Sequence, residues 1–460
     1  MYSIDFEKKL SVHFIGIGGI SMSGLAEILL KKGFSVSGSD RAESALTNHL
    51  VSLGADIHYP QQKENITNDT DFFVYTAAIH PDNPEFKAAQ KTGKPMLTRA
   101  ELLGQLMGHF KQSIAVAGTH GKTTTTSMIS QVLLECDADP TISVGAIFSA
   151  IKSNVRYGES DIFVTEACEY TDSFLSFYPK YNIILNIDAE HLDYFKTLEN
   201  ERMSYHKFAT NTKEDGVLYI NGAIPNLEEI THDLKCKITT FGLDDSYDYH
   251  AVNIKYDELG HATFTPVAYG KELPEISLHV PGKHNVSNAL SVIATMIDMN
   301  IPYEMIQRGL KAFTGADRRF QYKGRLKNGA VVVDDYAHHP TEIKASLDAA
   351  LHTPHNRIIV AFQPHTYTRT KAFLQDFADA LSMADIVVLA KIYAAREQDI
   401  YGVSSADIQK LIQEKGKECH YFETFEEIEN FLEKNSMNQD LLITMGAGNI
   451  IEVGENLVGR

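Results

Sequence analysis

The chain has 460 residues, 43% of them hydrophobic, with a formal net charge of −18; that length fits about three domains. The acidic balance excludes a protein that holds nucleic acid through a general positive field, so anionic ligands need local sites. Cys136, Cys168, Cys236 and Cys419 form no C-x-x-C pair, and neither a secretory leader nor an apolar run of membrane-spanning length is present, so the chain reads as a cytoplasmic protein with free thiols and no membrane insertion.

The first predicted strand, residues 11–15, runs into the turn Gly16-Ile17-Gly18-Gly19-Ile20-Ser21-Met22-Ser23-Gly24, and a helix is predicted over 25–32. Strands at 34–38, ending in Ser39-Asp40, and at 71–75 complete a βαβ unit of dinucleotide type. The third glycine of G-x-G-x-x-G falls on Ser21, so the turn by itself is ambiguous. Two ligands compete for Gly16, Gly18, Gly19, Ser39 and Asp40: a nicotinamide cofactor, or another pyrophosphate such as a UDP-sugar. A tight turn that serves only helix packing is the plain alternative.

The next pattern is Gly118-Thr119-His120-Gly121-Lys122-Thr123-Thr124, entered by the apolar run 113–116 and followed by a helix. Backbone amides at a helix start, two glycines and the Lys122 ammonium suit a triphosphate, and the Thr123 hydroxyl suits Mg2+. The spacing departs from G-x-x-x-x-G-K-[ST], because Val116 stands where the first glycine belongs. Two further strands, 161–166 and 181–187, deliver Glu166 and His191 as metal-ligand candidates at the edge where α/β sheets bind ligands. Later, His284 and Asn288 stand four apart on a helix, a spacing that lets both reach one flat base.

From about residue 315 the alternation starts again. A strand at 330–333 ends in Asp334-Asp335-Tyr336-Ala337-His338-His339-Pro340, and a strand at 357–362 ends in Gln363-Pro364-His365, with Arg369 beyond. Strands at 385–390 and 441–444 follow. Every polar cluster comes after a strand, the pattern of a doubly wound substrate domain. A metal site from Asp334, Asp335, His338 and His339 is a competing reading. Arg319, in the pair Arg318-Arg319 near the junction, is placed to meet a transferring phosphoryl group.

With residues 13–19, 37–40, 118–126, 186–193, 284–290, 335–341 and 363–365 assembled, the chain resembles the Mur ligases of peptidoglycan synthesis along nearly its whole length. The resemblance implies an α/β fold of three domains. Residues 1–108 would be a Rossmann-like domain for a UDP-sugar, 109–314 a central P-loop ATPase-type domain for ATP and Mg2+, and 315–460 a C-terminal Rossmann-like domain for an amino acid. It decides against nicotinamide at Gly16.

The implied reaction is ATP-dependent ligation of L-alanine to the lactyl carboxylate of UDP-N-acetylmuramate through an acyl phosphate. A ligase that adds a recycled tripeptide to the same sugar nucleotide shares these motifs; from other classes, an NAD-dependent dehydrogenase or a nucleotide-binding regulator would share the first turn. Carried over by resemblance, residues 118–124 take the phosphates, Thr123, Glu166 and His191 take Mg2+, His284 and Asn288 take adenine, and Arg319 takes phosphate. Asp335, His338 and Arg369 face the amino acid or its acceptor, with His338 the candidate base. The expected partners are the two substrates, with no nucleic acid, in a monomer or weak homodimer.

Departures from the family pattern stand at Ser21 and Cys168. In sibling ligases a carbamylated lysine follows the metal histidine by some fifteen positions. Counting from His191 reaches His206 here, with Lys207 turned away by about 100° on a helix, so His206 or water is expected to fill that place.

Overall fold

The computed structural model describes residues 2–76, 78–257, 260–395 and 397–459; Met1, Ala77, Glu258, Leu259, Arg396 and Arg460 lie outside the described residues. The chain divides into two compact units, Met1–Glu190 with Thr197–Phe241 and Ser291–Gly309, and His191–Lys196 with Gly242–Leu290 and Leu310–Arg460.

The first unit opens with β1 (Ser11–Ile15), α1 (Ile20–Lys31), β2 (Ser35–Ser39), α2 (Ala45–Ser52), β3 (Asp56–His58), β4 (Phe72–Tyr75), α3 (Pro84–Lys91), β5 (Met96–Thr98) and α4 (Arg99–Gly108). Its strands form a parallel sheet in the order β3-β2-β1-β4-β5. The central strand β4 is an apolar run and β1 is apolar apart from Ser11 and the buried His13, as suits strands covered by helices on both faces.

Then come β6 (Gln112–Ala117), α5 (Lys122–Glu135), β7 (Thr141–Phe148), β8 (Ser153–Arg156), β9 (Ile162–Glu166), a 3-10 stretch at Tyr170–Ser176, β10 (Tyr181–Ile184), α6 (Leu192–Phe195), α7 (Leu198–Thr210), β11 (Val217–Asn221), α8 (Glu228–Thr231) and β12 (Lys237–Phe241). The strands of this part lie in the order β8-β7-β9-β6-β10-β11-β12. One apolar core joins the two sheets of the unit, running from Leu25 and Leu29 through Leu102, Leu106 and Phe110 to Phe163, Phe174 and Phe208. Each such buried side chain stabilises the unit by about 1.5–3 kcal/mol.

The second unit holds antiparallel strands β13 (Tyr249–Tyr256), β14 (His261–Ala268), β15 (Lys271–Glu272) and β16 (Ile276–Pro281). After α9 (Lys283–Asp298) and α10 (Tyr303–Ala312) come β17 (Gln321–Arg325), β18 (Val331–Asp335), α11 (Pro340–Leu351), β19 (Ile358–Phe362), α12 (Tyr367–Ala372), α13 (Leu374–Leu381), β20 (Ile386–Leu389), α14 (Ser405–Glu414), β21 (Glu418–Tyr421), α15 (Phe425–Asn435), β22 (Leu441–Met445) and α16 (Ile451–Val458). The last sheet runs β17-β18-β22-β19-β20-β21, with an apolar cluster on each face.

Several sequence expectations shift. The helix expected over 25–32 starts at Ile20, because Gly19 is already the cap residue and the chain turns at once. Gly24 therefore belongs to the helix and not to the turn; a Cβ there would stand 3.1 Å from Val155, so its smallness admits β8. The strand expected to reach residue 187 ends at Ile184. The three-residue β3 and the antiparallel strands before α9 were too short or too polar to stand out. Among the described residues no helix is long and apolar enough to cross a membrane. All four cysteines are free thiols.

Candidate active site

Five polar groups surround the first glycine turn. Gly16 and Ile17 donate their amides to the Ser39 carbonyl at 2.9 Å each. Gly18 donates to Asp40 Oδ2 at 2.7 Å, and a Cβ on Gly18 would meet that oxygen at 2.8 Å. Asp40 thus braces the glycine turn. Ser39 is fully buried and donates its hydroxyl to Glu85 Oε2 at 2.5 Å, so this side chain supports the turn from beneath. Glu85, also fully buried, holds His13 Nε2 at 2.8 Å with its other oxygen. Neither His13 nor Glu85 stood out in the sequence, since nothing local marks a buried pair whose members lie 72 positions apart.

The phosphate loop sits between β6 and α5. Gly121 is the helix cap at φ 83°, the left-handed region, which is why a glycine stands there. Residues after β10 clamp the loop. Asn186 accepts from the His120 amide at 2.8 Å and returns a bond to the His120 carbonyl at 3.0 Å, while the Thr119 hydroxyl and the Asp188 backbone pair at 2.9 Å and 3.2 Å. His120 Nε2 stands 3.2 Å from Asp188 Oδ2.

Lys122 is folded back onto the Gly118 and Thr119 carbonyls and onto Glu169, whose oxygens lie 2.9 and 3.2 Å away. Burial alone disfavours the ammonium, but Glu169, with Cys168 and Glu166, holds its pKa above the ordinary value. Glu169 is 1% exposed and escaped the sequence reading, although it follows Glu166 by one helical turn's spacing.

Glu166 ends β9 in register with Val116 of β6 and accepts from the Gly145 amide at 2.6 Å. Thr123 is buried in the first turn of α5. His191, at φ 53°, belongs to the second unit. The Thr123 hydroxyl and the Glu166 carboxylate are hard oxygen donors of the kind Mg2+ takes. Among the described residues no group of three or more His, Cys, Asp or Glu is arranged to hold a metal ion, so the competing site at Asp334, Asp335, His338 and His339 does not form.

Facing the loop from α7 are Glu201 and Tyr205, both fully buried and one turn apart. Burial, reinforced by Glu169 and Glu190, pushes the Glu201 carboxyl up to about 8, against a bond from the Glu190 amide. His206 is committed elsewhere: its ring stacks on His232 with 4.0 Å between centroids, and Nδ1 bonds the Ile230 carbonyl at 3.1 Å. It does not fill the expected place, and Lys207 is exposed.

Arg99, the first residue of α4, is half-buried and within electrostatic reach of Cys168 and Glu166; burial lowers its pKa from the ordinary value. No hydrogen bond or ion pair holds its guanidinium among the described residues. The sequence reading passed over it.

In α9, His284 is exposed with its ring over Gly282, while Asn288 is buried and donates to Asn285 at 3.2 Å. In the last sheet, Asp335 accepts from Ala337 and Phe320 amides at 2.7 and 2.9 Å. Burial pushes its carboxyl up to about 6, with Arg319 pulling the other way. Asp334 pairs with Arg318 at 2.9 Å, and Arg318 also reaches the Gly446 and Gly448 carbonyls, so this arginine holds the sheet edge together. Arg319 lies across the Tyr336 ring, 5.1 Å from its centroid, and 3.9 Å from Glu342.

His338 Nδ1 faces the Tyr336 carbonyl at 3.0 Å and Glu342 at 3.2 Å, two acceptors that assign the proton to Nδ1 in the neutral ring and leave Nε2 as the basic nitrogen. Arg369 donates to His365 Nδ1 at 3.0 Å, and His365 stacks on Tyr393. His338, His365, Arg369 and Tyr393 therefore cluster after β18 and β19. His339 instead caps α11.

Three consecutive parts of the chain match family descriptions: Mur ligase family, catalytic domain, over residues 11–111; Mur ligase middle domain over 116–296; and Mur ligase, glutamate ligase domain, over 318–448. A UDP-N-acetylmuramate--L-alanine ligase of Agathobacter rectalis is 59% identical over 460 residues, covering 100% of both chains. One from Lachnospira eligens is 57% identical over 459 residues, again with 100% of both chains covered. Among solved structures, a UDP-N-acetylmuramate-alanine ligase from Thermotoga maritima is similar with a TM-score of 0.80 and 31% identity, covering 98% of this chain and 99% of that one. The phosphate loop, the three sheets and these full-length likenesses lead to one conclusion: the chain belongs to the Mur ligase family.

Proposed function

We propose that the chain joins L-alanine to the lactyl carboxylate of UDP-N-acetylmuramate, consuming ATP and yielding UDP-N-acetylmuramoyl-L-alanine, ADP and phosphate. The observation that carries this reading is the 59% identity, over the full length of both chains, to a relative named for that reaction. We take residues 1–108, 109–314 and 315–460 as the parts for sugar nucleotide, ATP with Mg2+, and amino acid, in a monomer or weak homodimer.

A carboxylate resists attack by an amine because it is anionic and lacks a leaving group. Transfer of the γ-phosphoryl group to the lactyl oxygen removes both obstacles, giving an acyl phosphate and ADP. The amides of residues 118–123 and the start of α5 hold the triphosphate, with Gly118, Thr119, His120, Gly121, Thr123 and Thr124 lining it. Lys122 leaves Glu169 for the phosphate oxygens and disperses the charge that builds up there. Thr123, Glu166 and His191 would hold Mg2+, which supplies further charge neutralisation when bound. His284 and Asn288 hold adenine, and Arg319 meets the transferred phosphoryl group.

Gly16, Gly18 and Gly19 present the sugar nucleotide's diphosphate with backbone, while Ser39 and Asp40 brace that turn. Arg369 takes the carboxylate of L-alanine. Nε2 of His338, held by Glu342 and supported by Asp335, removes the ammonium proton. The neutral amine then attacks the acyl carbon, and phosphate leaves as the amide forms.

ADP release that requires both UDP-N-acetylmuramate and an amino compound tests the class. L-alanine, glycine, L-serine and the tripeptide are compared by kcat/KM at saturating ATP. L-alanine should lead; a clear preference for the tripeptide replaces this reading with the recycling ligase, and nicotinamide reduction without ADP release removes it.

A further inference from the structure

We propose that Arg99 grips the substrate carboxylate that is to be phosphorylated, holding it beside the phosphate loop. The inference rests on the function proposed above and adds the residue that receives the reacting end of the sugar nucleotide.

The fold places Arg99 between the two glycine turns. Along the first sheet, Ile15 is in register with Tyr75 and Tyr75 with Thr98, so Arg99 leaves the same edge as Gly16. Two strand spacings, about 10 Å, separate them. A diphosphate at Gly16 therefore has Arg99 on the β5 side. From there Arg99 meets the central sheet: Glu166 ends the strand paired to β6, and β6 leads directly into the phosphate loop.

The position is rigid. Thr98 and Glu101 close a capping box around the start of α4. Further along, α4 presses on the 3-10 stretch so closely that a Cβ on Gly104 would stand 2.0 Å from the Ser176 carbonyl oxygen. Arg99 is thus carried by the first sheet and held in place by the packing of α4 on the 3-10 stretch.

Its chemistry fits an anion with two oxygens. A guanidinium presents a planar fork to a carboxylate and stays charged in the interior. Lys122 is paired with Glu169, whereas no partner of that kind holds Arg99 among the described residues. Bringing a carboxylate against a triphosphate sets like charges together, and a cation beside the attacking oxygen offsets that repulsion. The triphosphate is the rival ligand; the carboxylate is favoured because Arg99 belongs to the sheet that carries the sugar-nucleotide turn.

Calorimetric titration of wild type, Arg99→Ala and Arg99→Lys with three probes tests this: UDP-N-acetylmuramate, UDP-N-acetylglucosamine, which lacks the lactyl carboxylate, and a non-hydrolysable ATP analogue. Arg99→Ala should weaken UDP-N-acetylmuramate by about 10- to 100-fold, the worth of a hydrogen bond to a charged group, and leave the other two unchanged. Arg99→Lys, which keeps the charge and loses the fork, should fall between, and it decides the matter if Arg99→Ala does not fold. Equal loss for both sugar nucleotides, loss for the ATP analogue alone, or no loss at all overturns the proposal. Wild type that binds neither sugar nucleotide overturns the proposed function, and this inference with it.

Discussion

The two glycine turns of the first unit solve the same problem differently. Around Gly16–Gly19 the turn is stiffened by an acid that takes a backbone amide, Asp40 on Gly18, and the turn itself carries no cation. Around Gly118–Lys122 the acid, Glu169, takes the side-chain cation instead, while the backbone is clamped by Asn186 and Thr119. Under the proposed function the first turn holds a diphosphate and needs shape, whereas the second serves phosphoryl transfer and needs a charge that can be redirected.

The strongest way to break that contrast is Lys122→Ala. It should lower kcat by about a thousandfold, the scale of losing one preorganised charge stabiliser, while UDP-N-acetylmuramate still binds. Equilibrium titration of the variant checks this; loss of sugar-nucleotide binding would show that the two turns do not divide the work. Because Glu169 is then buried without its cation, Glu169→Gln in the same chain should restore thermal stability without restoring activity.

Gly18→Ala probes the other side. Its Cβ would displace Asp40 and crowd Thr47, at 2.8 and 3.0 Å. KM for UDP-N-acetylmuramate should rise about tenfold, near 1.4 kcal/mol, with KM for ATP unchanged. Steady-state kinetics with each substrate varied in turn would expose a shared effect.

The smallest effect concerns the acid behind the phosphate loop. A carboxyl whose folded pKa is about 8, above its ordinary 4.5, favours folding while protonated; that contribution is present below pH 4.5 and lost as pH rises through 8. Glu201→Gln should therefore match wild type at pH 4 and exceed its Tm at pH 9 by at least about 2–4 °C, the shift that roughly 1 kcal/mol produces in a domain of 150–250 residues. Thermal melts at both pH values suffice, and an equal shift at both would mean that the gain is not electrostatic.

Local pattern by itself determined much of this protein. Apolar runs followed by glycine marked β1, β6 and β22, and apolar runs followed by a polar cluster and then helical spacing marked β18 and β19, because strand and helix periods are written into neighbouring residues. The same locality exposed Lys122, Thr123, Glu166 and His338, polar groups at strand ends. Pairings between distant positions were decided only by the tertiary structure. Glu169 meets Lys122 across 47 residues and His13 meets Glu85 across 72, separations over which no periodicity speaks. Gly24 looked like part of a turn and is the gap that admits Val155, while the bond by which Asp40 braces Gly18 spans 22 positions. Arg99 carries no motif; only the packing of α4 against the central part of the unit brings this cation within electrostatic reach of Cys168 and Glu166.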